Sequence, residues 1–353
     1  MNRIVNWFKH QLSNPQVVFL ALFLLGLVLV ISYAGNTLAP VIAGIVIAYL
    51  LEGLISRLTR FGVPRLLSVW VVFLTFILFL AGILFGLLPI LYNQLTEVVH
   101  QIPSILTKGQ AVLINLPEDY PELISIEQIH EITAHIRTQL TDVGQTLVTS
   151  SITGAASIIS IMIYVVLLPI LVFFFIKDKR VILNWFQEFL PENHELAAKV
   201  WGDVDRQIAN YIRGKFWEIL IVWLASLITF TYLGLQYAML LSFLVGISVL
   251  IPYVGAAVVT VPIAIIAWFQ WGSTGEFVTL MVAYLVIQAL DGNILVPLLF
   301  SEVVNIHPVA IIVAVLVFGG LWGVWGIFFA IPLATLVQSV IVAWPNSPGY
   351  ADQ

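Results

Sequence analysis

The stretch Leu240–Phe269, LLSFLVGISVLIPYVGAAVVTVPIAIIAWF, decides how this chain folds. It is apolar from end to end, yet Ile251, Pro252, Tyr253, Val254 and Gly255 divide it into pieces of 11 and 14 residues. At 1.5 Å per residue each piece reaches only about 20 Å, short of the roughly 30 Å hydrocarbon core of a bilayer. A proline that lacks a donor, followed by a flexible glycine, makes a helical hairpin the natural outcome, entering the membrane and returning to the same side. The stretch His307–Trp344, HPVAIIVAVLVFGGLWGVWGIFFAIPLATLVQSVIVAW, has the same layout, with Gly319, Gly320, Gly323 and Gly326 at the break and Pro332 in the place of Pro262. One full-length apolar span precedes each, so span plus hairpin occurs twice, at about 216–270 and 277–343. The first span runs outward and the second inward, which relates the two units by inverted topology.

The rest of the chain fits a membrane setting. Of 353 residues 61% are hydrophobic and only 9% are charged, against roughly 25% charged in soluble globular chains. That excludes an ordinary soluble enzyme and marks a polytopic membrane protein. No basic stripe interleaved with aromatics points to nucleic acid. The absence of cysteine excludes a disulfide framework, a thiolate metal site and a cysteine nucleophile.

Six apolar runs are long enough to be full spans: Pro15–Ala34, Thr37–Ser56, Leu66–Tyr92, Ile152–Ile176, Phe216–Gln236 and Phe277–Phe300. The first has spanning length and no small-residue cleavage site after it, so it reads as a retained helix and not as a signal peptide. Of the 14 basic residues, Lys108 and Arg137 lie between the third and fourth spans, and the other twelve cluster at Arg3 and Lys9, at Arg57, Arg60 and Arg65, and from Lys177 to Lys215, with none beyond. By the positive-inside rule these segments, with both termini, are cytoplasmic.

Between the third and fourth spans, residues 93–151 form an acidic insertion on the outer face. Leu91, Leu95, Val98, Ile102 and Ile105 step as amphipathic helices do, and so do Ile129, Ile132, Ile136, Leu140, Val143 and Leu147. Pro117 and Pro121 flank a turn, and Ser125 with Gln128 has capping-box spacing. An outer helical hairpin that continues the third and fourth spans follows, packed on itself or against another subunit. On the cytoplasmic side Val200, Val204, Ile208 and Tyr211 mark amphipathic helices along the membrane surface. The expected organisation is therefore 1–92, a scaffold of transmembrane helices; 93–151, the outer hairpin; 152–215, the fourth span and cytoplasmic helices; 216–343, a transport unit; and 344–353, a tail.

Among the acidic residues after Lys215, only Asp291 lies well inside an apolar span, in LVIQALDGNILVPLL. A carboxylate there costs about 2.5–3.5 kcal/mol on insertion scales unless paired, hydrated or protonated. It reads as a proton- or cation-binding acid or a hydrogen-bond partner for a polar solute, with Gln288 and Asn293 as helpers, or as a cap on the broken backbone of a neighbouring hairpin. Glu52, near Arg57, reads as an interfacial ion-pair member, and Glu218, near Lys215, likewise. His307 opens the second hairpin as a helix cap or as a proton relay. There is no H-E-x-x-H, no G-x-S-x-G elbow and no Walker A loop. The chain is thus not expected to be an enzyme, and any transport is passive or coupled to an ion gradient.

Several stretches resemble the autoinducer-2 exporter (AI-2E) family of PerM-like permeases: APVIAGIVIAYLLEGLISRL, LVFFFIKDKR, YIRGK, IPYVGAAVVTVPIAII and the run from Leu290 to Leu336. The resemblance covers nearly the whole chain and is strongest from Ile251 to Leu333. Glu52-Gly53 departs from it, since relatives usually carry a proline after Y-L-L. The resemblance implies a bacterial inner-membrane permease for small molecules, autoinducer-2 the namesake among them. It also implies homo-oligomers, with sodium/proton antiporters among the members.

Taken together, the sequence predicts an all-α polytopic membrane protein with six full spans, two interrupted, re-entrant hairpins and an outer helical hairpin. Its expected function is export of a small polar solute, against the alternatives of a sodium (lithium)/proton antiporter and a non-transporting oligomeric scaffold. The expected site lies between the hairpins, lined by Pro252, Gly255, Gln288, Asp291, Asn293, Gly319, Gly323 and Gly326. No metal or cofactor is expected; the expected partners are the solute, a proton or sodium ion, the lipid bilayer and other copies of the chain.

Overall fold

A computed structural model describes residues 15–119, 134, 138, 155–188, 195–252, 254–300 and 307–343. Every regular element among them is helical. In order they are α1 (Pro15–Arg60), α2 (Arg65–Gly82), a π-helical turn (Ile83–Leu87), α3 (Leu88–Asp119), α4 (Ala155–Lys177), α5 (Lys179–Gln187), α6 (Glu195–Tyr232) and α7 (Ala238–Ser248). There follow α8 (Val254–Trp271), α9 (Gly275–Leu290), a second π-helical turn (Asp291–Leu295), α10 (Val296–Phe300), α11 (Pro308–Trp322), α12 (Val324–Phe328) and α13 (Ala330–Ala343). Helices satisfy their backbone groups internally, as an apolar solvent demands. By length and composition 37–60, 65–109, 204–232, 254–271 and 275–300 are each able to cross a membrane.

α1 links two packed bodies. In one, Leu51 and Ile55 of α1 meet Val69, Val72 and Phe76 of α2 and Val172 and Ile176 of α4. Its end is tied by charge: Arg65 donates to Glu52 at 3.1 and 3.3 Å and to the Ile176 carbonyl at 3.3 Å, and Lys179 lies 3.9 Å from Glu52. Glu52 is thus the ion-pair member expected, with Arg65 and Lys179 as partners in place of Arg57. The other body gathers α6 to α9 around Phe230, Leu241, Val245, Ile263, Leu280 and Tyr284. A third cluster, with Tyr211, Ile212, Phe300, Ile311 and Ile331, joins α6, α10, α11 and α13 to Val46, Tyr49 and Leu50 of α1.

Two elements differ from the sequence reading, and a third extends it. The runs expected as the first and second spans lie in one continuous helix, α1. A lone glycine costs about 1 kcal/mol in a helix, and Gly35 carries no positive φ, whereas Gly62, where the chain does turn, has φ 88°. The third span continues through the π turn into α3 as far as Asp119, past Pro117, as the first limb of the expected hairpin would. α3 packs on the C-terminal body: Gln94 Oε1 accepts from the Leu240 amide at 2.8 Å, and Val98 packs against that core. The second limb of the chain, Tyr120 with Pro121, Ser125, Gln128 and most of Ile129–Leu147, lies outside the described residues. Finally, Val204, Ile208 and Tyr211 belong to a helix that runs on without a break into the next span. Val204 and Tyr211 are buried, which a helix lying along a surface would not require.

α7 and α8 lie side by side in opposite senses. At one end the Gln270 side chain donates to the Gly234 carbonyl at 2.7 Å and accepts from the Gln236 amide at 2.8 Å. At the other, Gly255 packs on Ser248. The limbs are unequal: α7 has 11 residues and α8 has 18, because helix resumes at Val254 and passes through Pro262. The second interrupted stretch is built alike. Its chain turns at Gly323 (φ 60°, ψ −133°), and Gly326 packs on the Phe318 carbonyl.

A Cβ at Gly255 would collide with the Ser248 carbonyl, and one at Gly326 with the Phe318 carbonyl, both backbone atoms that cannot swing aside. Gly255→Ala and Gly326→Ala are therefore each expected to lower stability by about 1–3 kcal/mol or more. Gly320→Ala, where nothing lies within 4 Å, is the control expected to stay near wild type. Thermal unfolding in detergent measures all three.

Candidate functional site

The site grows from one face of α6. Val204, Tyr211, Lys215, Glu218, Val222, Ser226 and Phe230 are all buried, and their spacing of three, four or multiples keeps them on one stripe of the helix. The stripe is apolar at both ends and charged in the middle. Lys215 and Glu218 are only 5% and 3% exposed. The Lys215 ammonium donates to Glu218 at 2.7 Å and to the Val249 carbonyl at 2.8 Å. It also lies 5.4 Å from the centre of the Phe300 ring, a cation–π contact in a desolvated setting. Gly214 permits that approach, since a Cβ there would meet Phe300 Cε1 at 2.7 Å.

Val249 is the first residue past α7. Its carbonyl is one of those a helix end leaves without an intrahelical partner. Lys215 thus fastens the break that contains Pro252 to the middle of α6.

α9 brings the second set of polar groups. Tyr284 is fully buried, its hydroxyl donating to the Ala256 carbonyl at 3.2 Å and lying 3.1 Å from Thr260 Oγ1. One turn on is Gln288, and one further turn on is Asp291, which opens the π turn. Gln288 Nε2 and Asp291 Oδ1 are buried without a hydrogen-bond partner among the described residues. Asp291 lies within Coulombic reach of both Lys215 and Glu218. An unpaired buried polar atom costs about 1–3 kcal/mol, and π turns recur at functional sites for the local shift they impose.

Of the residues expected at the site, Asp291 and Gln288 stand one turn apart with unpartnered buried atoms, and Pro252 sits in the break that Lys215 holds. Gly255 forms the close contact just beyond that break. Asn293 is exposed, and its amide nitrogen donates to the Ala289 carbonyl of its own helix at 2.8 Å. Gly319, Gly323 and Gly326 shape the second hairpin itself. That hairpin reaches α6 through Tyr211, whose hydroxyl donates to the Phe328 carbonyl at 2.8 Å. His307 caps α11, its Nδ1 accepting from the Val309 amide at 3.3 Å. Lys215 and Glu218 were not expected as site residues. The signal for them is the spacing from Ile208 and Tyr211 onward, continued past Lys215.

Comparison with known proteins places the chain among transporters by sequence. The chain matches the family described as "AI-2E family transporter" over residues 17–346. It is 42% identical over 346 residues, 98% of each chain, to "Putative permease PerM" of Escherichia coli K12. It is 27% identical over 307 residues to "Putative transport protein YrrI" of Bacillus subtilis 168, covering 86% of this chain and 85% of that one. It is 24% identical over 328 residues to "AI-2 transport protein TqsA" of Escherichia coli K12, covering 93% and 92%.

Removing one member of a buried ion pair strands the other, so Lys215→Met is expected to cost about 3–5 kcal/mol. The double variant Lys215→Met/Glu218→Leu, which removes both charges, should recover most of that loss. Arg65→Ala, at a half-exposed pair, should cost no more than about 1 kcal/mol. Equilibrium unfolding in detergent of the single and double variants gives the comparison.

Proposed function

The chain belongs to the AI-2E family of transporters, and from that membership we propose that it exports a small polar solute across the bacterial inner membrane, passively or coupled to an ion. The relatives named above are permeases and transport proteins, which accords with a carrier and not an enzyme. The observation that carries the reading is the pair of unpartnered atoms, Gln288 Nε2 and Asp291 Oδ1, on the helix that packs beside α6, where Lys215 holds the unwound Val249. Backbone that leaves the helix at membrane depth is tolerated only where protein covers it or a cavity needs it. Broken helices in corresponding halves are where secondary transporters bind their cargo.

The cluster of Arg57, Arg60, Arg65, Lys177, Lys179 and Arg180 at one end of α1, α2 and α4 makes that end cytoplasmic. α6 then runs outward, and the α7–α8 hairpin enters from the outer side and returns to it. The second hairpin, with the same glycine-on-carbonyl contact, is its inverted counterpart. Opening and closing consists of these hairpins moving against the α1, α2 and α4 body.

Autoinducer-2 is the first solute to try, since one relative is named for it. In proteoliposomes Asp291→Asn should lower protein-dependent flux about tenfold or more, a barrier change of about 1.4 kcal/mol or above. Asn293→Ala should stay near wild type. Undiminished flux in Asp291→Asn would remove that residue from the mechanism. Absence of protein-dependent flux across a panel of polar solutes would favour the scaffold reading.

A further inference from the structure

The charges of this cluster do not balance. Lys215 and Glu218, both buried, contribute one positive and one negative charge, and Asp291, half-buried with its Oδ1 enclosed, stands on the π turn packed against α6 and adds a second negative charge within electrostatic reach of both. No further ionised group is in a position to correct the sum among the described residues. On α6, Arg213 is engaged with Asn210 and the Ala209 carbonyl. On α1, Tyr49 is bonded to Asp205. Tyr211 gives its proton to the Phe328 carbonyl, and Tyr284 gives its own to the Ala256 carbonyl. α7 presents the Val249 carbonyl and α10 the Phe300 ring. One surplus carboxylate is left, with one of its oxygens enclosed and unpartnered, where an uncompensated charge is disfavoured.

We propose that Lys215, Glu218 and Asp291 form a single monovalent-cation site, in which one exchangeable positive charge, a proton or an alkali ion, neutralises the surplus carboxylate and thereby controls the hold of Lys215 on the α7–α8 break. With the charge on Asp291 neutralised, Lys215 is committed to Glu218 and to the Val249 carbonyl, which is the arrangement in the structure. With the cation gone, Asp291 competes for the ammonium and the tie to Val249 loosens. The loading step is simple: a proton adds to a carboxylate oxygen, or an alkali ion takes its place there, and no bond to carbon changes. The idea deepens the transport reading and rests on it only for the consequence of hairpin movement.

Cation binding is measured without any solute, on the full-length protein in nanodiscs under weak buffering. On acidification between about pH 9 and 4, a range bracketing shifted carboxyl groups, wild type should take up about one proton per chain more than Asp291→Asn. The same proton should be missing in Glu218→Gln, because neutralising either carboxylate leaves the other to balance Lys215. That equality separates a shared site from a lone Asp291. Full wild-type uptake in Glu218→Gln would overturn the proposal. So would wild-type protein whose protonated-carboxyl infrared band on acidification is no larger than that of Asp291→Asn and which releases no proton on addition of alkali salt. Proton release on adding sodium or lithium chloride, with choline chloride as control, assigns the site to alkali ions in exchange for a proton. Uptake without such release assigns it to the proton alone. A protein that binds the cation but moves no solute would end the transport reading and leave this site standing.

Discussion

The C-terminal half of the molecule depends on one ammonium group. Where the chain leaves α7 at Val249, its carbonyls lose their partners four residues ahead, and in an interior poor in water each needs another donor. Lys215 supplies one at 2.8 Å. Its own charge then needs a counter-ion, which Glu218 provides one turn along the same helix, and its desolvated head lies against Phe300. Phe300 reaches that position only because residue 214 is glycine. Break, charge pair, aromatic lid and small residue are thus one requirement followed through four positions.

Much of this was legible in the sequence, for reasons that also explain the gaps. The two breaks announced themselves because proline and glycine interrupt otherwise uniform apolar runs, and Asp291 stood out because a carboxylate in such a run has few ways to be tolerated. The charges that stand near that carboxylate were hidden by a boundary. Ending the amphipathic stretch at Lys215 and starting a span at Phe216 cut α6 at its most informative point. Followed without a cut, the spacing from Ile208 and Tyr211 leads to Lys215, Glu218 and Val222 on one buried stripe. Hydropathy finds where a helix enters an apolar solvent, whereas the helix itself does not stop there.

The same limit governs α1 and Asn293. Gly35 and Asn36 look like a turn between two spans, but without a positive φ or a proline they remain ordinary helical residues. Asn293 follows Asp291 by two positions. On a helix two positions point to different sides, and within the π turn Asn293 satisfies its amide on the Ala289 carbonyl.

α6 is the common post for both hairpins, and its two ties differ in kind. Tyr211 holds the second hairpin by a neutral bond to the Phe328 carbonyl. One turn further, Lys215 holds the first by a charged bond to the Val249 carbonyl. A neutral hydroxyl keeps its partner whatever the ionic state around it, but an ammonium between two carboxylates redistributes when either one changes charge. The two hairpins share the same glycine-on-carbonyl construction, yet only the first is fastened by a group that electrostatics is able to reposition. Two similar hairpins on one helix thereby become unequal, and the inequality rests on Lys215 standing one turn beyond Tyr211, with Asp291 in reach.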